Sequence, residues 1–213
     1  MKKILFSTAI ATMCLMPQAK AADKMGGYAG VDVGYAYVKG DAQETANALV
    51  SILGGSASVI QETSTIMGRV YGGYNINKNL ALEVGYLRTG NLTTTVAGVA
   101  GNSVAYTGKA DAHVSGVDYA LLVKPFDSKN AEGIFAKVGG HYTETTVDLT
   151  LTGTSTATAS ASEKGSGFLV GVGYEAPLSD SVDYRVAYTY YNNISGLSDN
   201  NSSILTAGIL AKF

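Results

Sequence analysis

The sequence is poor in what most soluble domains rely on. Only 15% of its 213 residues are charged, where a typical soluble domain carries about a quarter; it has 3 prolines and no tryptophan. The single cysteine, Cys14, sits close to the amino-terminus, so the rest of the chain can form neither a disulfide nor a thiol nucleophile. Two histidines, His113 and His141, and thinly spread carboxylates offer no metal-ligand spacing, and neither a metal nor a cofactor is expected. No apolar run after the amino-terminal segment approaches the roughly 20 residues that a membrane helix needs. If this chain crosses a membrane, it does so with strands.

What is present begins with an export signal. Lys2 and Lys3 form a positive start, residues 4–16 an apolar run ended by Pro17, and Ala19-Lys20-Ala21 an A-x-A cleavage site. Residues 1–21 therefore read as a signal peptide cut between Ala21 and Ala22, with residues 22–213 as one domain. Met13, before Cys14, is not the small residue that a lipoprotein site requires. Cleavage removes three lysines and no acids, leaving 12 basic against 17 acidic residues. An acidic exported chain is a poor nucleic-acid binder, and no nucleic-acid partner is expected.

Beyond the signal, apolar and small-or-polar residues alternate with period two in eight stretches. The apolar parities are Ala29 to Tyr37, Ile66 to Tyr74, Leu80 to Tyr86, Val117 to Val123, Ile134 to Tyr142, Phe168 to Tyr174, Val182 to Tyr190 and Leu205 to Phe213. Long polar connections (39–62, 89–113, 145–164, 192–202) alternate with short ones (75–79, 125–132, 177–180). Within the first long one, Asp41 and Glu44 have cap spacing, Ala46, Leu49, Val50 and Leu53 form a helical stripe, and Gly54 could end it. So short a helix is marginal alone, and an irregular loop is expected there.

Opposite the uncharged parities lie Asp32, Arg69, Glu83, Asp118, Lys124, Lys137, Glu175, Asp183, Arg185 and Lys212, five acids and five bases. A soluble sandwich would solvate such a face. Eight repeats of balanced charge behind an uncharged face fit a lipid-facing exterior around a salt-bridged interior. Tyrosines sort by height: Tyr74, Tyr174, Tyr184 and Phe213 towards the short-turn end, Tyr35, Tyr37, Tyr86, Tyr142 and Tyr190 towards the long-connection end, as two interfacial girdles would. The fold expected is all-β, an eight-stranded antiparallel up-and-down transmembrane β-barrel whose last strand closes against its first. Inward glycines at 30, 34, 73, 85, 116, 139, 171, 173 and 208 leave room that water could occupy.

The endings Gly72-Gly73-Tyr74, Glu83-Val84-Gly85-Tyr86 and Val172-Gly173-Tyr174, with the terminal Phe213, resemble the small eight-stranded outer-membrane barrels related to OmpA and OmpX. The resemblance implies the outer membrane as location and its lipid as solvent. It implies insertion by the barrel-assembly machinery, with Phe213 in the terminal strand as assembly signal. Full OmpA proteins continue into a peptidoglycan-binding domain; none is expected after Phe213.

The expected function is structural and surface-interacting: envelope integrity, adhesion, or host or phage contact through four extracellular loops. The alternative is a small porin-like channel for water, ions or small solutes. The loops carry eight acids (Asp41, Glu44, Glu62, Asp111, Glu144, Asp148, Glu163, Asp199) against Lys39, Arg88, Lys109 and Lys164, with Tyr106 as their clear aromatic, which suits neither a polyanion nor a sugar platform. Enzyme activity is not expected. His141 has inward parity, His113 points outward or lies in a loop, and no Ser-His-acid set assembles from the pattern.

Overall fold

The computed structural model describes residues 26–38, 56–99, 105–124, 133–153, 155–196 and 200–213. The expected signal peptide, its cleavage site between Ala21 and Ala22, and the capped stretch from Asp41 to Gly54 lie outside the described residues. Ten strands run through them: β1 (Gly26–Val38), β2 (Ser56–Gln61), β3 (Ser64–Asn75), β4 (Leu80–Thr89), β5 (Leu92–Val99), β6 (Ala105–Val123), β7 (Ile134–Thr152), β8 (Thr156–Pro177), β9 (Val182–Tyr191) and β10 (Ser202–Lys212). Eight of them close a barrel in the order β1-β3-β4-β6-β7-β8-β9-β10, every neighbour antiparallel. The last strand returns to the first, with Tyr28 opposite Lys212 and Val38 opposite Ser202.

Alternation in the sequence becomes alternation in burial. Along β4, Ala81, Glu83, Gly85, Leu87 and Thr89 are buried while Leu82, Val84, Tyr86 and Arg88 are exposed. The same two-residue rhythm holds on β3 and β9. Exposed Val, Ile, Leu, Tyr and Phe line the outward face of the barrel strands, the reverse of a soluble fold and the expected surface for a barrel in lipid.

Short turns join the strands at one end. After β3, the Asn77 carboxamide oxygen accepts from the Asn79 and Leu80 amides at 2.8 and 2.9 Å, an Asx turn. After β8, the amides of Leu178 and Ser179 both reach the Val182 carbonyl. Gly133 opens β7 with φ 100°, and a Cβ there would collide with the Glu175 carbonyl oxygen; only glycine fits that close approach.

The opposite end departs from the expected loops. β6, β7 and β8 run for 19, 19 and 22 residues, whereas a tilted strand crosses the apolar core in about 9–11. Their outer halves continue as a projecting sheet in which β5 pairs with residues 105–112 of β6 and β2 pairs with β5. Connections 89–113 and 145–164, expected as polar loops, are therefore mostly paired strand, because Thr, Val and Ser at alternate positions suit a pleated surface wet on one face. The register carries the barrel's faces outward but swaps their chemistry. Inward parity bears Val96, Tyr106, Val147, Leu149 and Leu151, and outward parity bears Thr95, Thr107, Lys109, Asp111, Thr146 and Asp148.

Of segment 192–202, also expected as a displayed loop, residues 192–196 instead pack against inward positions of β7 and β8. Ile194 and Ser195 are buried there in a single 3-10 turn, Ile194–Gly196.

Candidate functional site

Seven of the eight barrel strands, all but β10, deliver an inward charge to one central cluster. Arg69 on β3 is its hub: Nε donates to Asp118 Oδ2 at 2.9 Å, and Nη2 donates to Asp118 Oδ1 at 2.6 Å and Glu83 Oε1 at 2.9 Å. Its Nη1 lies 3.6 Å from Asp32. Arg185 on β9 holds the other side of Glu83, Nη1 to Oε2 at 2.6 Å, and reaches Glu175 at 3.1 Å. Lys137 Nζ is 3.6 Å from Glu83 Oε1. Glu83 and Asp118 are 2% and 0% exposed, so each carboxylate is neutralised by cations within hydrogen-bond reach, as burial requires.

Towards the short-turn end the remaining charges pair locally. Lys124 lies 3.4 Å from Glu175, and Lys212 donates to Asp183 at 2.7 Å. All ten inward charges thus meet an opposite charge, eight of them around the Arg69–Glu83–Arg185 axis and two as a separate pair.

Four aromatic residues in this cluster are absent from the set singled out by charge. Tyr28 donates to Glu83 Oε2 at 3.0 Å and Tyr191 to Asp118 Oδ2 at 2.7 Å. Tyr71 lies under both guanidinium groups at 4.7 and 4.6 Å, and Phe135 under Arg185 at 5.2 Å, at cation–π range. Their signal was available, since all four share the inward parity of the charged positions.

These side chains also correct the reading of the inward glycines as open space. The rings of Tyr71, Tyr28 and Phe135 and the Arg69 guanidinium lie directly over Gly30, Gly73, Gly173 and Gly85. Small residues on one strand make room for large ones on the next, as in a close-packed interior. One cavity of about 10 Å³ lies beside Asp32, Lys137 and Arg185, room for about one water.

Above the cluster, residues 192–195 bond to side chains of β7. His141 Nε2 lies 2.9 Å from the Asn192 carbonyl, and its Nδ1 lies 3.4 Å from the Thr143 hydroxyl. The Ser195 amide donates to Thr143 Oγ1 at 2.9 Å, and Ser195 Oγ shares a hydrogen bond with Thr145 at 2.7 Å. His141 is therefore a buried spacer in a lid. His113 is on the outward parity of β6, opposite Thr146, and away from that lid.

On the outer face Tyr35, Tyr37, Tyr74, Tyr86, Tyr142, Tyr174, Tyr184 and Phe213 are exposed and Tyr190 is half-buried. The first outward charges above them are Arg88, Glu144 and Lys164. Tyr106, expected on a displayed loop, is buried on the inward parity of the projecting sheet.

A closed eight-stranded barrel with an uncharged exterior and an ion-paired, aromatic-packed interior is a transmembrane β-barrel of the outer-membrane type. The chain belongs to the OmpA-like transmembrane domain family, whose model matches residues 21–213. Among solved structures it is similar to Neisserial surface protein A (19% identity, 88% of this chain and 97% of that one, TM-score 0.44). It is also similar to Ail, the attachment invasion locus protein of Yersinia pestis, in complex with the heparin analogue sucrose octasulfate (11%, 89% and 100%, 0.48). A third is the outer membrane protein OprG of Pseudomonas aeruginosa (15%, 90% and 98%, 0.42). A search of curated proteins finds no match.

Proposed function

We propose that this outer-membrane barrel is a rigid, closed stalk whose work is done by the sheet it projects from the cell. The observation that carries this is the outer edge of β8. From residue 156 to 164 β8 pairs with β7 on one side, its pairing with β9 starts only at Leu169, and every residue of that stretch is exposed. Natural edges are usually blunted by proline, inward charge or bulges; Thr156-Ala-Thr-Ala-Ser-Ala-Ser162 has neither proline nor charge, and the edge's charges, Glu163 and Lys164, come only at its end nearest the barrel. Such an edge accepts an extended segment of another protein by strand addition. The partner is thus a protein met at the cell surface, and adhesion or host or phage contact follows from it.

A packed interior supports the stalk over the channel, because a conducting path would have to part Glu83 from two arginines in a low-dielectric space. The exported state, cleavage between Ala21 and Ala22, and insertion by the barrel-assembly machinery through Phe213 belong to the same reading. The test compares the intact protein with a version whose strands end at the barrel rim, residues 93–111 and 145–164 being replaced by tight turns. Cells carrying each are assayed for surface binding, and each purified barrel for planar-bilayer conductance. Binding should fall with trimming while neither protein gives unitary steps. Steps from the intact barrel, or binding indifferent to trimming, would reverse the assignment.

A further inference from the structure

The outer wall carries a second feature, separate from the interior and from the projecting edge. Across four neighbouring strands, one row of paired outward residues reads Ala207, Val33, Gly68, Arg88 on β10, β1, β3 and β4. The row above it reads Leu205, Tyr35, Ile66, and the row below Ile209, Val31, Val70, Tyr86. Ala207 and Gly68 are the small members of the middle row, Val33 standing between them, and the surface is lowest at Gly68, where a Cβ would have nothing within 4 Å. The result is a groove of about 980 Å³ on the lipid face, at the upper end of the roughly 300–1,000 Å³ of small-molecule sites. Its length over three strand spacings is about 14 Å.

The groove ends on a charge. Arg88 is the first cation met above the membrane band on β4, next to Tyr86, and it has no ion-pair or hydrogen-bond partner among the described residues. By contrast, Lys109 and Lys164, farther out, pair with Asp111 and Glu144. A guanidinium left unpaired at the end of an apolar trough is complementary to an amphiphile with an anionic head, and its fork matches a phosphate. Arg88 lies on the side of the projecting sheet, hence in the outer leaflet, where the phosphorylated lipid is a glycolipid.

We infer that the β10–β1–β3–β4 wall is a binding site for one acyl chain of an outer-leaflet phosphorylated glycolipid, the chain lying over Gly68 and a phosphate held by Arg88. The site is independent of what the projecting sheet binds. One lipid would thereby be retained in a fixed place against the seam where the barrel closes.

The experiment uses the full mature barrel, refolded in detergent micelles and offered, separately, lipid A bearing its phosphates, dephosphorylated lipid A, and phosphatidylglycerol. Bound lipids are counted by native mass spectrometry. The expected result is one lipid A retained per barrel. Arg88→Gln should lower retention of the phosphorylated form about ten-fold or more, as loss of a charged hydrogen bond does, and leave the dephosphorylated form unchanged. Gly68→Phe, which fills the floor, should lower both. Heat-modifiable migration reports that each variant is folded, and both positions point away from the packed interior. Equal retention by wild type and Arg88→Gln, phosphatidylglycerol held as tightly as lipid A, or a protein dimer in place of bound lipid would each overturn the site.

Discussion

Among single residues, Glu83 carries the most. Its two oxygens are shared by Arg69, Arg185, Lys137 and the Tyr28 hydroxyl, so Glu83→Gln leaves three buried cations with half their compensation. Removing one member of a buried ion cluster costs about 3–5 kcal/mol, and urea unfolding in micelles, followed by gel mobility, should show a loss of that size. A change below about 1 kcal/mol would mean that water enters and solvates the cluster. Asp111 is the contrasting case, since it stands in the projecting sheet. Hydrogen bonds from Lys109 and the Thr93 hydroxyl hold its carboxyl below the usual carboxylate value. A group depressed in the folded state stabilises above its unfolded pKa and loses that contribution as pH falls through the folded one. Protection of amides in β5 and outer β6, taken relative to their intrinsic exchange, should therefore fall on acidification through the lower carboxylate range, and Asp111→Asn should abolish that fall. The charged positions were legible in the sequence because parity alone separates Glu83 from Val84. Tyr28, Tyr71, Phe135 and Tyr191 share that inward parity, but a set chosen by charge passes over them.

At the level of elements, the membrane-spanning strands followed from period two, and their register from which face was charged. The outer halves of β6, β7 and β8 did not, and the reason is physical. Above the membrane the outward face turns polar and the inward face apolar, so the contrast that marks a strand in lipid weakens and a Thr/Ser/Ala run reads as loop. The mouth segment was equally hidden, because nothing in Asn192-Asn193-Ile194-Ser195-Gly196 announces that Thr143 and His141 will receive it. That segment is held by unusual backbone: Asn193, Ser195 and Gly196 have φ of 55°, 57° and 79°. Gly196 also lies against the backbone of Gly165, so Gly196→Val adds a side chain where both the conformation and the space disfavour it. The substitution should cost about 1–3 kcal/mol locally and speed exchange at the Ser195 amide, while the unfolding midpoint of the barrel moves much less. If the midpoint falls as far as exchange rises, the lid and the barrel are one cooperative unit.

For the whole molecule, the decisive contact is the one between its ends. β1 and β10 are joined over eleven residue pairs from Tyr28–Lys212 to Val38–Ser202, and the Phe213 amide still donates to Gly27 at 2.9 Å. This pairing is also the most distant in sequence, so it is the slowest to form, and until it forms the sheet has two open edges that invite wrong partners. On the proposed reading, the β10 strand is held in place while the other seven assemble, with the exposed Phe213 as the handle. Once the barrel is shut, Phe213 contributes one backbone hydrogen bond and a ring lying over Gly27, worth about 1–2 kcal/mol together. Deleting Phe213 should consequently lower the amount of folded protein in the outer membrane several-fold, while barrels that do form unfold within about 2 kcal/mol of wild type. Quantifying heat-modifiable protein in membrane fractions, and the urea midpoint of what is purified from them, separates the two effects. Undiminished membrane levels alongside a large fall in midpoint would place Phe213 in the finished seam and not in assembly.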